Sequence, residues 1–121
     1  MQAEELRQRI CTVLEDMKGQ ELVTLDVRTL TDVTDFMVIV SGTSDRHVKA
    51  MADRVLDTLR DHKLRPLGVE GQETGDWVLI DFGDVVVHVM RPDSRSFYEL
   101  EKLWSKDLEA LVRSQRDKAS D

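Results

Sequence analysis

The chain predicts an α/β (α+β) fold, a single mixed β-sheet flanked by helices, in the order α-β-β-α-β-β-β-α. Three observations carry the prediction. Residues 35–41 (DFMVIVS) are a continuous apolar run, the pattern of a central strand covered on both faces. Residues 77–82 and 85–90 are two strand-like runs separated by a turn containing Gly83. Between and around these strands lie stretches with apolar residues at helical spacing.

The first such stretch covers residues 3–18, where Ala3, Leu6, Ile10, Val13, Leu14 and Met17 recur at helical intervals and Gly19 is a natural stop. Leu22 to Val27 reads as a first strand and Asp35 to Ser41 as the second. Ser41-Gly42-Thr43-Ser44 turns the chain into a second helix that buries Val48, Ala52, Val55 and Leu59 and runs to about His62. Arg65 to Val69 contains Pro66, which cannot donate to a ladder, so this piece belongs at a sheet edge. The hairpin follows, and Ser96 with Glu99 matches the S-x-x-E capping box of a third helix carrying Phe97, Leu100, Leu103 or Trp104, Leu108 and Leu111. From Arg113 the residues RSQRDKASD are almost all polar. The chain thus divides into one domain over 1–112 and a polar, disordered tail over 113–121.

At 121 residues, one domain with its own core is expected. The single cysteine, Cys11, cannot form an internal disulfide, which fits a reducing, cytoplasmic setting. No run approaches the ~20 apolar residues of a membrane span, and charged residues interrupt the N-terminus, so neither membrane nor export is expected. Seventeen basic residues against twenty-four acidic ones give a net charge of −7. Nucleic-acid affinity rests mainly on Lys and Arg at phosphates, and no basic cluster stands out, so direct grip on RNA or DNA is not expected. An acidic chain favours a basic protein partner.

Several groups invite chemistry. The Ser41–Ser44 turn opens a helix, and helix N-termini attract anions. It lacks the lysine and second glycine of a P-loop, so capping by Thr43 or Ser44 is the simpler use. Asp81-Phe82-Gly83-Asp84 spells a kinase DFG without the glycine-rich loop, strand lysine or catalytic loop that give those letters meaning. His88, within a strand, has no nucleophile or further metal ligands placed beside it by sequence, and reads as a hydrogen-bonded residue on one sheet face or part of an interaction surface. Cys11 reads as a small core or boundary residue. No catalytic residue, metal site or cofactor is expected. On residues 77–82, alternation sends Val78, Ile80 and Phe82 one way and Trp77, Leu79 and Asp81 the other. With Tyr98 and Glu99 nearby, the second row reads equally well as a protein-binding surface of aromatic anchors rimmed by charge, or as packing over the edge of the core.

Three blocks, TDFMVIVSGTSDRHVKAMAD, GDWVLIDFGDVVVHVM and RSFYELEKLW, resemble the iojap family of ribosomal silencing factors and together span most of residues 24–104. The resemblance implies a sandwich fold distantly related to nucleotidyltransferases. It implies a factor that binds the large ribosomal subunit through ribosomal protein fourteen, blocks joining with the small subunit and represses translation when nutrients are scarce, as in stationary phase. Carried onto this chain, it puts the partner contact on Trp77, Leu79, Asp81, Phe82, Asp84, Tyr98, Glu99 and Lys102, and leaves room for a homodimer. The alternatives are a metal-dependent nucleotidyltransferase and a self-associating structural domain. Those transferases pair a Gly-Ser turn with an Asp-x-Asp that holds Mg²⁺. Here the turn runs into Asp45-Arg46-His47-Val48-Lys49, and Asp81 and Asp84 straddle a hairpin, so no enzyme is expected.

Overall fold

A computed structural model describes residues 1–94, 112–114 and 116–117. The elements follow the expected order through the hairpin: α1 (Ala3–Asp16), β1 (Gln20–Asp26), β2 (Phe36–Ser41), α2 (Asp45–Asp61), β3 (Gly68–Glu70), β4 (Trp77–Asp81) and β5 (Val85–Met90). The third helix expected after Ser96, with Tyr98, Glu99 and Lys102, lies outside the described residues.

The five strands form one mixed sheet in the order β1-β2-β5-β4-β3. β2 is antiparallel to β1 and parallel to β5, while β4 is antiparallel to both β5 and β3. The continuous apolar run of β2 has the predicted cause, since every residue from Phe36 to Ser41 is buried. The Pro66 segment contributes a strand only at Gly68–Glu70, at the sheet edge, starting three residues later and ending one residue later than the sequence suggested.

Alternation divides the sheet into two apolar faces. One carries Phe36, Val38 and Val40 of β2, Val78 and Ile80 of β4, Phe82 just beyond it, and Val85, Val87 and Val89 of β5. Against it pack Leu6, Ile10 and Leu14 of α1 and Val48, Met51, Ala52, Val55 and Leu59 of α2. The other carries Met37 and Ile39, Met90, Leu79 and Val86, joined by Trp77, Val33 and Val112.

Helix ends are chemically specified. Ser44 accepts the His47 N–H at 3.1 Å to cap α2, and Glu4 and Glu5 place negative charge in the first turn of α1. Both helices close in the same way. Lys18 and Lys63 adopt left-handed backbone (φ 64° and 62°), and the following N–H groups of Gly19 and Leu64 reach back to Leu14 and Leu59 carbonyls at 2.8 and 2.9 Å. Gly19 has no room for a side chain, because a Cβ there would sit 2.6 Å from Val40 Cγ2 and 3.0 Å from the Leu14 carbonyl oxygen.

Candidate functional site

The β4–β5 hairpin positions most of the expected site residues. Its turn is closed by the Phe82 N–H donating to the Val85 carbonyl at 2.9 Å, and by the Gly83 N–H donating to Asp81 Oδ1 at 2.8 Å. Gly83 takes φ +89°, a conformation glycine adopts without penalty. Asp84 is exposed at the tip, and its carbonyl accepts from the N–H groups of Asp35 and Phe36 at 3.0 and 3.1 Å, tying the turn to the start of β2.

Register then places Leu79 opposite His88 and Trp77 opposite Met90, so Trp77 and His88 are diagonal neighbours on the second sheet face. Trp77 Nε1 donates to His88 Nδ1 at 2.9 Å, with ring centroids 5.7 Å apart. His88 is fully buried, and burial pushes its imidazole down to about 3. His88 Nε2 meets no partner among the described residues. Sequence reading expected a hydrogen-bonded histidine on one sheet face, and the structure supplies the bond.

The Trp77, Leu79 and Asp81 row, for which a binding surface and packing over the core edge were both open, is largely covered. Trp77 is half-buried, Leu79 is 3% exposed and Asp81 is 0% exposed. The cause is the chain's own C-terminal stretch. Val112, itself fully buried, packs with Leu79, Val33 and Val86. Arg116 Nε donates to Asp81 Oδ2 at 2.5 Å, and Arg116 Nη2 donates to Asp81 Oδ1 and to the Gly83 carbonyl, each at 3.0 Å. Two parallel N–H···O bonds to one carboxylate form a strong, directional ion pair. Nothing in the sequence near Arg116 announces this, because its partner lies thirty-five residues away. Phe82 points to the helical side, as alternation predicts, and is 7% exposed. Of the contacts the resemblance implied among described residues, only Asp84 is exposed and only Trp77 is half-buried.

The Ser41–Ser44 turn is occupied by its own side chains. The Thr43 N–H donates to His47 Nδ1 at 3.0 Å, the Arg46 N–H to Asp45 Oδ1 at 3.0 Å, and the His47 N–H to Ser44. Three of the turn's N–H groups are therefore already engaged, and the Asp45 carboxylate adds like charge. His47 was not singled out from sequence, yet its Nε2 also lies 2.7 Å from the Met17 carbonyl, so one imidazole fastens the turn to the end of α1. With Nδ1 accepting, that neutral ring carries its proton on Nε2 and donates it to Met17.

Among the described residues, no three His, Cys, Asp or Glu side chains gather as metal ligands, and no helix is long and apolar enough to cross a membrane. An open groove of about 510 Å³ between α1 and α2 is bordered by Arg9, Asp16 and Arg54, far from the hairpin residues in chain and fold. Its charged borders are already engaged in part, with Arg9 Nη2 donating to Glu5 at 3.1 Å.

Comparison with known proteins bears on this arrangement. A family model described as "Ribosomal silencing factor during starvation" matches residues 1–121. "Ribosomal silencing factor RsfS" of Chromobacterium violaceum is 42% identical over 104 residues, covering 86% of this chain and 85% of that protein. A crystal structure of a Chromobacterium violaceum protein, also 42% identical, superposes with a TM-score of 0.84 over 86% of this chain and 87% of that one. The mouse protein "Mitochondrial assembly of ribosomal large subunit protein 1" is 35% identical over 99 residues, 79% of this chain and 43% of its own length. The chain belongs to the ribosomal silencing factor family.

Proposed function

We propose that this silencing factor binds the large ribosomal subunit through ribosomal protein fourteen and sterically blocks joining with the small subunit, without catalysing a reaction. The family match over the whole chain carries the reading, and the mouse relative is named for the large subunit. Charge supports the choice of a protein foothold. A chain of net charge −7 is repelled by ribosomal RNA, whereas a basic ribosomal protein attracts it. The hairpin carrying Trp77, Leu79, Asp81, Phe82 and Asp84 is the proposed contact, together with Tyr98, Glu99 and Lys102. A protein of this size on the joining face excludes a partner by volume alone.

Co-sedimentation with isolated large subunits, small subunits and intact ribosomes tests the reading. Binding to free large subunits, with loss of joining once small subunits are added, is the expected result. Asp84→Lys is the informative variant, because Asp84 is exposed at the hairpin tip and its replacement leaves the core intact. Reversing a rim charge against a basic partner weakens binding by roughly three- to tenfold. Undiminished binding by folded Asp84→Lys would remove the hairpin tip from the contact.

A further inference from the structure

We propose that the partner meets the end of the sheet at which the hairpin turns, with Leu30 and Leu67 as apolar anchors on either side of Asp84. This surface deepens the reading that the hairpin contacts a basic ribosomal protein, and rests on it.

The topology gathers these residues. At one end of the sheet β1 and β4 finish while β2, β5 and β3 begin. The loop of residues 27–35, the hairpin turn and the connection into β3 therefore stand side by side there. Hydrogen bonds join them. On one side the Asp35 N–H donates to the Asp84 carbonyl at 3.0 Å, and on the other the Leu67 N–H donates to the Asp81 carbonyl at 2.7 Å. Leu67 Cδ1 is 3.6 Å from the point where a Cβ on Gly83 would stand, so this leucine lies against the turn itself.

Exposure singles out the two leucines. Among the described residues, the exposed large hydrophobics are Met1, Leu30 at 59% and Leu67 at 50%. One exposed leucine on a surface is ordinary. Two that flank the same turn, with a carboxylate between them, form a spaced pair of apolar contacts. Leu30 is also held in place. Its N–H and that of Thr31 donate to the Val27 carbonyl at 2.9 and 3.1 Å, and the following Val33 and Thr34 are buried. An anchor on a turn that is already ordered loses little freedom on docking. Charge orients the partner. Asp32, Asp35 and Asp84 stand on the Leu30 side, where Arg28 is bound by Asp26 at 2.6 Å, whereas Arg65 precedes Leu67 by two residues. A basic side chain is drawn to the half between Leu30 and Asp84, and an apolar one reaches across to Leu67.

The test measures large-subunit binding by the full chain and by Leu30→Ser, Leu67→Ser, Leu30→Met and Leu67→Met, with thermal unfolding to confirm folding. Neither leucine belongs to the core, so both serine variants should melt with the unmodified protein. Covering the exposed half of a leucine contributes roughly five- to tenfold in affinity, so each serine variant should bind weaker by about that factor. Each methionine variant should stay within about twofold of the unmodified protein, because it keeps the apolar volume. The loss should appear as faster dissociation with the salt dependence retained, whereas Asp84→Lys should change the salt dependence. Folded serine variants that bind as tightly as the unmodified protein overturn the proposal. Serine variants that abolish self-association in sedimentation equilibrium, yet leave subunit binding intact, overturn it by giving this end to a second copy. Weakened binding by Asp84→Lys alongside unchanged binding by both serine variants upholds the hairpin contact and overturns the apolar anchors alone. Absence of binding by every form overturns both.

Discussion

Trp77 gives its indole proton to His88, and that bond decides which tautomer the histidine holds. With Nδ1 accepting at 2.9 Å, the neutral ring keeps its proton on Nε2, where no described group receives it. Such a donor costs about 1–3 kcal/mol, yet the ring stays buried on the second sheet face, opposite Leu79 and beside Trp77. Its depressed folded value, about 3 against an ordinary 6.5, has a definite consequence for pH. Between those two values the unfolded chain binds a proton that the folded chain refuses, so stability falls as the solution is acidified. The contribution is fully present above pH ~6.5 and is lost by the time pH reaches about 3, a change on the order of 4 kcal/mol for one site. Urea midpoints measured from pH 7 to pH 4 should therefore drop less for His88→Phe than for the unmodified protein. An equal decline in both would show that other groups set the acid limit.

At the level of single elements, the helices and central strands were legible because their signals are local and repeated. The stripe Leu6, Ile10, Leu14 on α1 and the run Phe36–Ser41 both name their neighbours by spacing alone. The β3 boundary was less legible, since a three-residue edge strand makes too few alternations to show its period. The covering of Leu79 and Asp81 was not legible at all. It depends on Val112 and Arg116 returning to the sheet from a polar-looking stretch, and long-range returns leave no local trace in composition. Helix closure was legible only as a stop at Gly19. Lys18 adopts the left-handed turn, and Gly19 supplies space beside Val40. Lys18→Gly should therefore raise stability by about 0.5–1 kcal/mol by relieving the left-handed strain. Gly19→Ala should lower it by about 1–3 kcal/mol through crowding of Val40 and the Leu14 carbonyl. Thermal unfolding of the two variants side by side checks both signs.

For the molecule as a whole, the sheet order places its most sequence-distant pairing, β2 with β5, inside the sheet rather than at an edge. β2 and β5 pair in parallel through six registered residues, and they are the strands buried at every position. The molecule's most persistent hydrogen bonds should lie there. Native-state hydrogen exchange should find the amides of Val38–Val40 and Val87–Val89 slowest, and those of β3 and of Gln20–Leu22 among the fastest within the sheet. Comparable protection across all five strands would mean that the sheet opens only as one unit.

The two margins of this sheet also limit what the protein can become in a crowded cell. β1 is interrupted where its register shifts between Gln20 and Val23, at the left-handed Glu21. β3 offers only three residues and ends on Glu70. Short, broken, negatively charged margins are poor templates for a further strand. A second copy that adds itself rim to rim would bring carboxylates together along a ladder too short to hold them. Growth by strand addition, the common route to fibrils, is thus discouraged at both ends of the sheet.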